Sequence, residues 1–335
     1  MFGLRLYRLH RIINIIGKGG DKGMVSVENI KEARSNIADI VRKTPIISSS
    51  QLSTICGNTI LLKAEHLQKT GAFKLRGATN KVKHVVDKGA TFVTAASSGN
   101  HGQAVSYIAK KLGIPATIVV PEDASDSKLN AIIEYGGEIE KCGTTSEERL
   151  PRAEALAIEN NGVFIPPYDD PLIIAGQGTI GLEILEQVED IDVVLVPIGG
   201  GGLISGILTA IKETRPSIKV IGIEPDTAND TYLSLKNNQI TAISPTNTIA
   251  DGLRTSQPGS MTFPILQKYI DDLVLVTEEE IKAAQLFVLE RMKQVIEPSS
   301  AVTVAAMMFD KLEIRDKRVV CVISGGNVDV RKWGI

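Results

Sequence analysis

The sequence predicts an α/β protein with parallel-rich sheets covered by helices on both faces. Three observations carry that expectation. From Val27 onward, short apolar runs alternate with amphipathic stretches long enough to be helices, the pattern of strand–helix units. Three of the runs are followed by polar loops rich in glycine or serine: SSGNHGQ at 97–103, GGGG at 199–202 and SGGN at 324–327. At 335 residues, with 43% hydrophobic and 23% charged residues, the chain fits one large domain or two intimately joined ones.

Charge and composition narrow the function classes. A net charge of −2 and an aromatic content of 4% leave neither a basic face nor many stacking platforms for nucleic acid. No uninterrupted apolar run reaches membrane-spanning length. Cys56, Cys142 and Cys321 are widely spaced and odd in number, which argues against a disulfide framework and for a reducing, cytoplasmic setting.

Taken in chain order, residues 1–23 carry Arg5, Arg8 and Arg11 with no acid before Asp21, and Leu9, Ile12, Ile13 and Ile16 at helical spacing. The stretch lacks the serines of a transit peptide, and its arginines interrupt a secretory core. It reads as an extension, joined through the flexible GKGGDKG segment to a core beginning near Met24. Strands are expected at Ile60–Lys63, Phe92–Ala95, Thr117–Val120 and Glu138–Lys141, then at Val193–Val196, Lys219–Ile223, Leu273–Val276 and Arg318–Ile323. Helices are expected at Gly102–Leu112, Ser127–Tyr135, Glu147–Glu159, Leu172–Gln187, Leu203–Lys212, Glu278–Lys293 and Ala301–Leu312. Residues 91–164 form a candidate small domain interrupting a larger one made of 24–90 and 165–335. Two facing sheets would leave a cleft outside the carboxyl ends of their strands, where ligands bind in open α/β folds.

Chemistry concentrates in the loops. Four glycines between a strand and a helix let several N–H groups face one point at the helix start, a setting for phosphate. No Gly-Lys-Ser/Thr follows, so this is not a P-loop, and Ser205 breaks the dinucleotide pattern. Ser97, Ser98, Asn100, His101 and Gln103 offer more polar groups than one helix cap needs, which suits a docked carboxylate. Lys74 stands between Phe73 and what reads as an Arg-Gly-Ala turn, with Gly71 and Gly77 allowing close backbone approach. A desolvated lysine is a nucleophile for a carbonyl group.

Together these segments, above all EHLQKTGAFKLRGA at 65–78, resemble the fold-type II pyridoxal-phosphate enzymes. Within that group, whose fold is tryptophan synthase β-like, the chain is similar to the serine/threonine dehydratase and serine racemase family from about Ile30 to Val330. The resemblance implies that Lys74 holds pyridoxal 5′-phosphate as a Schiff base and that Phe73 packs on the pyridine ring. It implies that Gly199, Gly200, Gly201 and Gly202 hold the phosphate, that Asn100 bonds the ring's 3′-oxygen and that Ser324 faces the ring nitrogen. A neutral serine there weakens the electron sink relative to a carboxylate, which fits elimination over transamination.

Relatives that make cysteine carry threonine where His101 stands, so the resemblance points to the dehydratase and racemase branch. Ser98 matches racemases and hydroxyaspartate dehydratases, where many threonine dehydratases carry alanine. In the racemases this serine is the base on the face opposite the lysine. Ser97, Ser98, His101, Arg149, Asp251 and Thr255 align with substrate-binding positions, Thr255 replacing a serine. Glu224, the Ala228 carbonyl and Asp230 resemble a divalent-cation site suited to Mg²⁺ or Ca²⁺. Tyr135 falls near the cleft or in the core.

The resulting expectation is a dehydratase acting on a small hydroxy amino acid, L-serine or L-threonine, releasing ammonia and a 2-oxo acid. Lys74 would take the Cα proton, and the cofactor phosphate would assist departure of the hydroxyl. A racemase of serine or a related amino acid, using Lys74 and Ser98 as paired bases, and a threo-3-hydroxyaspartate dehydratase are the alternatives. A non-catalytic cofactor or amino-acid binding protein is the reading from another class. The family implies a homodimer. The chain runs only a short way past SGGN, so feedback control through a C-terminal regulatory domain is not expected.

Overall fold

Helices and strands alternate along residues 24–333, the part of the chain that the computed structural model describes. The expected extension, 1–23, lies outside these residues. The first helix, α1 (Val27–Ile37), starts at Ser26, whose hydroxyl accepts the Asn29 N–H while the Asn29 side chain accepts the Ser26 N–H, a reciprocal cap. There follow β1 (Ile46–Ser48), α2 (Ser50–Cys56), β2 (Thr59–Ala64), α3 (Lys74–Asp87), β3 (Val93–Ala96), α4 (Asn100–Lys111) and β4 (Ala116–Val120). Next come α5 (Asp126–Glu134), β5 (Glu138–Lys141), α6 (Ser146–Glu159), β6 (Val163–Phe164), α7 (Pro171–Gln187), β7 (Val193–Pro197) and α8 (Gly202–Lys212). The chain ends with β8 (Lys219–Pro225), α9 (Asp230–Asn237), α10 (Thr262–Tyr269), β9 (Asp272–Val276), α11 (Glu278–Met292), α12 (Pro298–Met308) and β10 (Arg318–Ile323).

The strands form a six-stranded sheet, ordered β1-β2-β10-β7-β8-β9, and a four-stranded sheet, ordered β5-β4-β3-β6. Every neighbouring pair is parallel except β1 with β2, where Ile46 lies opposite Lys63. Parallel strands covered on both faces must be apolar on both, and β4 and β7 are buried at every residue. The two-residue period then sorts side chains between cores. Val194, Val196, Val320 and Val322 join residues of α1, α7, α8 and α10 on one face of the larger sheet. Val193, Leu195, Val319, Cys321 and Ile323 join α11 and α12 on the other. In the smaller sheet Val93, Ala95, Ile118 and Val120 pack against α3, α4 and α5, while Val119 meets Ala153 and Leu156 of α6.

All eight expected strands are present, with ends shifted by two residues at most. Two further strands escaped the sequence reading. The edge strand β1 is three residues long and β6 only two, too short to show a period. One local expectation is corrected: Arg76, Gly77 and Ala78 are not a turn but the opening of α3. Gly77 is there because α3 and α7 cross almost in backbone contact. A Cβ at Gly77 would lie 2.8 Å from the Ile173 carbonyl oxygen, and one at Gly176 would lie 2.6 Å from the Gly77 Cα. The last helix, α12, starts at Pro298, three residues before the expected Ala301, because proline is well placed in a first helical turn.

Candidate active site

The polar loops lie at the carboxyl ends of β3, β7 and β10, on the side where α/β sheets bind ligands. After β7, Gly199–Gly202 turns into α8. Gly201 has φ +90°, a conformation that a side chain would strain. Thr262 Oγ1, at 2.8 Å, and the Gly259 N–H both donate to the Gly200 carbonyl, which fixes the loop from behind. A Cβ at Gly200 would fall 2.4 Å from the Tyr168 ring. The loop is therefore a bare-backbone cradle at a helix start, where N–H groups lack intrahelical partners.

Lys74 is the first residue of α3, and its approach is stapled to the SGGN loop. The Phe73 N–H donates to the Ser324 carbonyl at 2.9 Å, the Gly326 N–H to the Gly71 carbonyl at 2.8 Å, and Ala72 bridges Gly325. The Lys74 amine donates to the Pro167 carbonyl at 2.6 Å and sits 5.2 Å from the centre of the Phe73 ring. Burial pulls its pKa down to about 8, against the opposing pull of the Glu297 charge.

Two residues along α3, Arg76 is buried in a cluster of compensating charges. Its guanidinium donates to both oxygens of Glu65, each at 2.8 Å, and to Glu183 at 2.7 and 3.0 Å. Lys63 donates to Glu183 at 2.5 Å and to Gln187 at 2.8 Å, and the Thr44 hydroxyl closes on Glu65. Two acids and two bases balance, so the cluster carries no net charge into the core.

Ser324 is buried with its hydroxyl 3.0 Å from that of Ser300, which accepts the Gly325 N–H at 2.7 Å. Beside it stands Glu297, which the sequence reading missed. Asn100 Nδ2 lies 2.9 and 3.1 Å from its two carboxylate oxygens, and the Asn327 N–H donates at 3.3 Å. Asn327 Nδ2 donates in turn to Asn100 Oδ1 at 2.8 Å. Burial pushes the Glu297 pKa up to about 7, although the Asn100 amide opposes the shift. An acid just before Pro298 looks like an ordinary helix start in sequence, yet this one makes no cap and turns into the cleft.

The remaining expected site residues fall into three groups. Ser97, Ser98 and Asn100 lie on the loop from β3 into α4, Ser97 Oγ accepting the Gly99 N–H at 3.3 Å. His101, beneath this loop, is buried with Nε2 2.8 Å from the Ile165 carbonyl, and burial and the nearby Lys74 charge pull its pKa down to about 3. It is a neutral donor that ties α4 to the end of β6. Asp251 heads a short turn, 251–253, whose Gly252 N–H donates to Ser299 Oγ at 2.9 Å. Arg149, on α6, bonds only the Ser146 hydroxyl, and its Nε and Nη1 have no hydrogen-bond partner among the described residues. The structure does not bring it into contact with the other candidates. Tyr135 packs edge-on against Tyr107 at 5.7 Å and reaches the Lys69 carbonyl at 3.5 Å.

Glu224 and Asp230 form the third group. Glu224 accepts the N–H groups of Thr231 at 3.1 Å and Tyr232 at 2.9 Å. Thr255, aligned with a position near the substrate hydroxyl, instead lies 3.4 Å from both oxygens of Asp230. Burial raises the pKa of Glu224 well above its usual value, with Asp230 adding repulsion, and raises that of Asp230 to about 7. The buried Thr231 hydroxyl has no partner among the described residues, where no cluster of three metal-ligating side chains occurs either. Two uncompensated carboxylates beside a spare hydroxyl and the backbone of Ala228 form a donor set suited to a hard cation.

A lysine shifted toward its neutral form, a phosphate cradle and a buried neutral serine together fit an aldehyde cofactor bearing a phosphate. The family model described as pyridoxal-phosphate dependent enzyme matches residues 37–325. The chain belongs to that family. This pyridoxal-phosphate dependent enzyme is 44% identical over 308 residues to an L-threonine ammonia-lyase of Thermotoga maritima, covering 92% of the chain and 77% of the relative. It is 46% identical over 316 residues to a serine racemase of Dictyostelium discoideum, covering 91% and 96%. Among solved structures, maize serine racemase superposes with a TM-score of 0.90 at 37% identity, covering 93% of this enzyme and 96% of that chain. Threonine ammonia-lyases and serine racemases thus resemble this enzyme to a similar degree. Among its described residues no helix is long and apolar enough to cross a membrane.

Proposed function

We propose that the protein is a threonine/serine dehydratase that converts L-threonine or L-serine to a 2-oxo acid and ammonia. The observation that carries this reading is the Lys74 amine, part-buried beside the SGGN loop to which its approach is stapled and shifted toward its neutral form. The Gly199–Gly202 cradle binds the cofactor phosphate, Phe73 packs on the ring, and Asn100 and Ser324 offer hydrogen bonds to its polar atoms. When bound, pyridoxal phosphate draws into its ring the electron pair left at Cα. Lys74 removes the Cα proton. The start of α4, with Ser97 and Ser98, orients the substrate carboxylate. Asp251, at the mouth, is the partner for the β-hydroxyl, and the family resemblance supports Arg149 as a second one. Glu224, the Ala228 carbonyl and Asp230 hold a divalent cation, Mg²⁺ or Ca²⁺, that offsets their repulsion; Thr255 supports that group.

Ser98 favours a second reading, a racemase of serine or a related amino acid, in which its hydroxyl returns a proton to the face opposite Lys74. One carbanion can serve both outcomes, and a threo-3-hydroxyaspartate dehydratase is a variant of the first. Residues 91–164 act as the small domain and 24–90 with 165–335 as the large one, a division supported by the separate small sheet. Free thiols at Cys56, Cys142 and Cys321 support a cytoplasmic setting, and the family supports a homodimer.

The test is one panel of L-serine, D-serine, L-threonine and threo-3-hydroxyaspartate, followed for oxo-acid release and chirality with and without EDTA. Lys74→Ala should abolish both the visible cofactor absorbance and turnover. Positioned proton transfer contributes about 10²–10⁴-fold, so Ser98→Ala should cut racemisation of L-serine by about that factor and spare much of its elimination. Equal loss of both would sink the two-base assignment.

A further inference from the structure

One contact at the mouth of the cleft has no place in the chemistry above. Lys128, in the first turn of α5, belongs to the layer of the smaller sheet, and its amine donates to Asp251 Oδ2 at 2.5 Å. Asp251 heads the turn that closes over the glycine cradle: a Cβ at Gly199 would lie 3.2 Å from the Gly252 carbonyl oxygen. The charges of both partners are felt at Glu297, where Asp251 favours the protonated acid and Lys128 opposes it. Among the described residues, this is the one salt bridge joining residues 91–164 to the rest of the chain. Side-chain exposures of 37% and 41% leave the pair within reach of dissolved ions.

The geometry points to Lys128 as a positioning residue that draws the smaller layer over a bound amino acid and holds the Asp251 carboxylate at the substrate's β-hydroxyl. The inference rests on the reading of the cleft as a hydroxy amino acid site. The charge logic supports it. An amino acid brings its own carboxylate into a cleft already lined by Asp251 and Glu297, and an ammonium at the rim offsets that repulsion. Because the pair is part-exposed, its effect on binding is modest, a factor of about two to five.

The test compares wild-type holoenzyme with Lys128→Met and Lys128→Arg on the hydroxy amino acid that the wild type turns over best. In Lys128→Met, KM should rise by about two- to fivefold, with kcat changing less and the cofactor absorbance and Tm holding. Lys128→Arg should restore most of the loss. Wild-type KM should also rise between about 0.05 and 0.5 M salt, and that of Lys128→Met should stay flat. An unchanged KM in Lys128→Met, the same salt response in both proteins, or a fall in Tm with kcat and KM affected alike would overturn the role. If Lys128→Met does not fold, the salt response of the wild type decides, a flat KM counting against the pair. Absence of turnover in the wild type would defeat the functional reading itself. The pair would then be judged by titrating L-serine into holoenzyme at both salt concentrations and following the cofactor absorbance.

Discussion

In the proposed role, Lys74 must be neutral to attack an aldehyde and basic enough to take a proton. Burial supplies the first property and Glu297 limits it. A lysine whose folded pKa is lowered is costly to hold charged, so this site opposes folding in full below about pH 8, and the penalty is relieved as pH rises from there toward the ordinary lysine value of 10.5. In cofactor-free protein, modification of Lys74 by an amine-selective reagent should therefore reach half its maximal rate near pH 8. Glu297→Gln removes the one nearby charge that favours the ammonium, so the midpoint should move to lower pH; an unmoved midpoint would detach Glu297 from the lysine. Lys74 was legible because a motif surrounds it. Glu297 was not, because an acid preceding a proline is common at helix starts, and only the fold brings Asn100 to it across 197 residues of sequence.

At the scale of elements, α3 is where the sequence misled. Arg-Gly-Ala suggests a turn in isolation, but Gly77 serves a helix crossing and Arg76 a buried charge cluster, both of which need α7 as partner. Lys63 likewise looks like a solvated strand residue until Glu183, 120 residues away, is set beside it. The strands around the glycine loop were legible because burial on both faces leaves a continuous apolar signal, as in Val193–Pro197. Arg76→Met leaves Glu65 and Glu183 short of positive charge in the core, and breaking a buried pair in this way costs about 3–5 kcal/mol. Chemical denaturation should show that loss. Cofactor affinity should fall with it, since the same helix begins at Lys74; a stable variant with normal affinity would make the cluster incidental.

For the whole molecule, the electrostatic weak point is the Glu224–Asp230 pair. Raised carboxylate pKa values mean that these groups stabilise the fold while protonated, and the contribution is lost as pH rises through the folded values. After EDTA treatment, Tm should decline from about pH 5 to pH 7, and added Mg²⁺ or Ca²⁺ should remove much of that decline. Asp230→Asn should flatten the pH response and abolish the response to cation. A Tm in wild type indifferent to EDTA, pH and added cation would leave the pair without a ligand. Glu297 contributes with the same sign, so the Asn variant is the control that separates the two.

The smaller sheet has a geometric consequence for motion. The chain enters it through β3 and leaves it through β6, and these strands are hydrogen-bonded neighbours, with Val93 beside Val163. Entry and exit therefore share almost one axis, like the two leaves of a strap hinge. Rotation about that axis breaks no strand pairing in either sheet, but it must slide β3 and α4 past α3, whose Leu75, Ala78, Val82 and Val85 pack in the smaller sheet's core. Any such movement is therefore coupled to the helix that begins at Lys74.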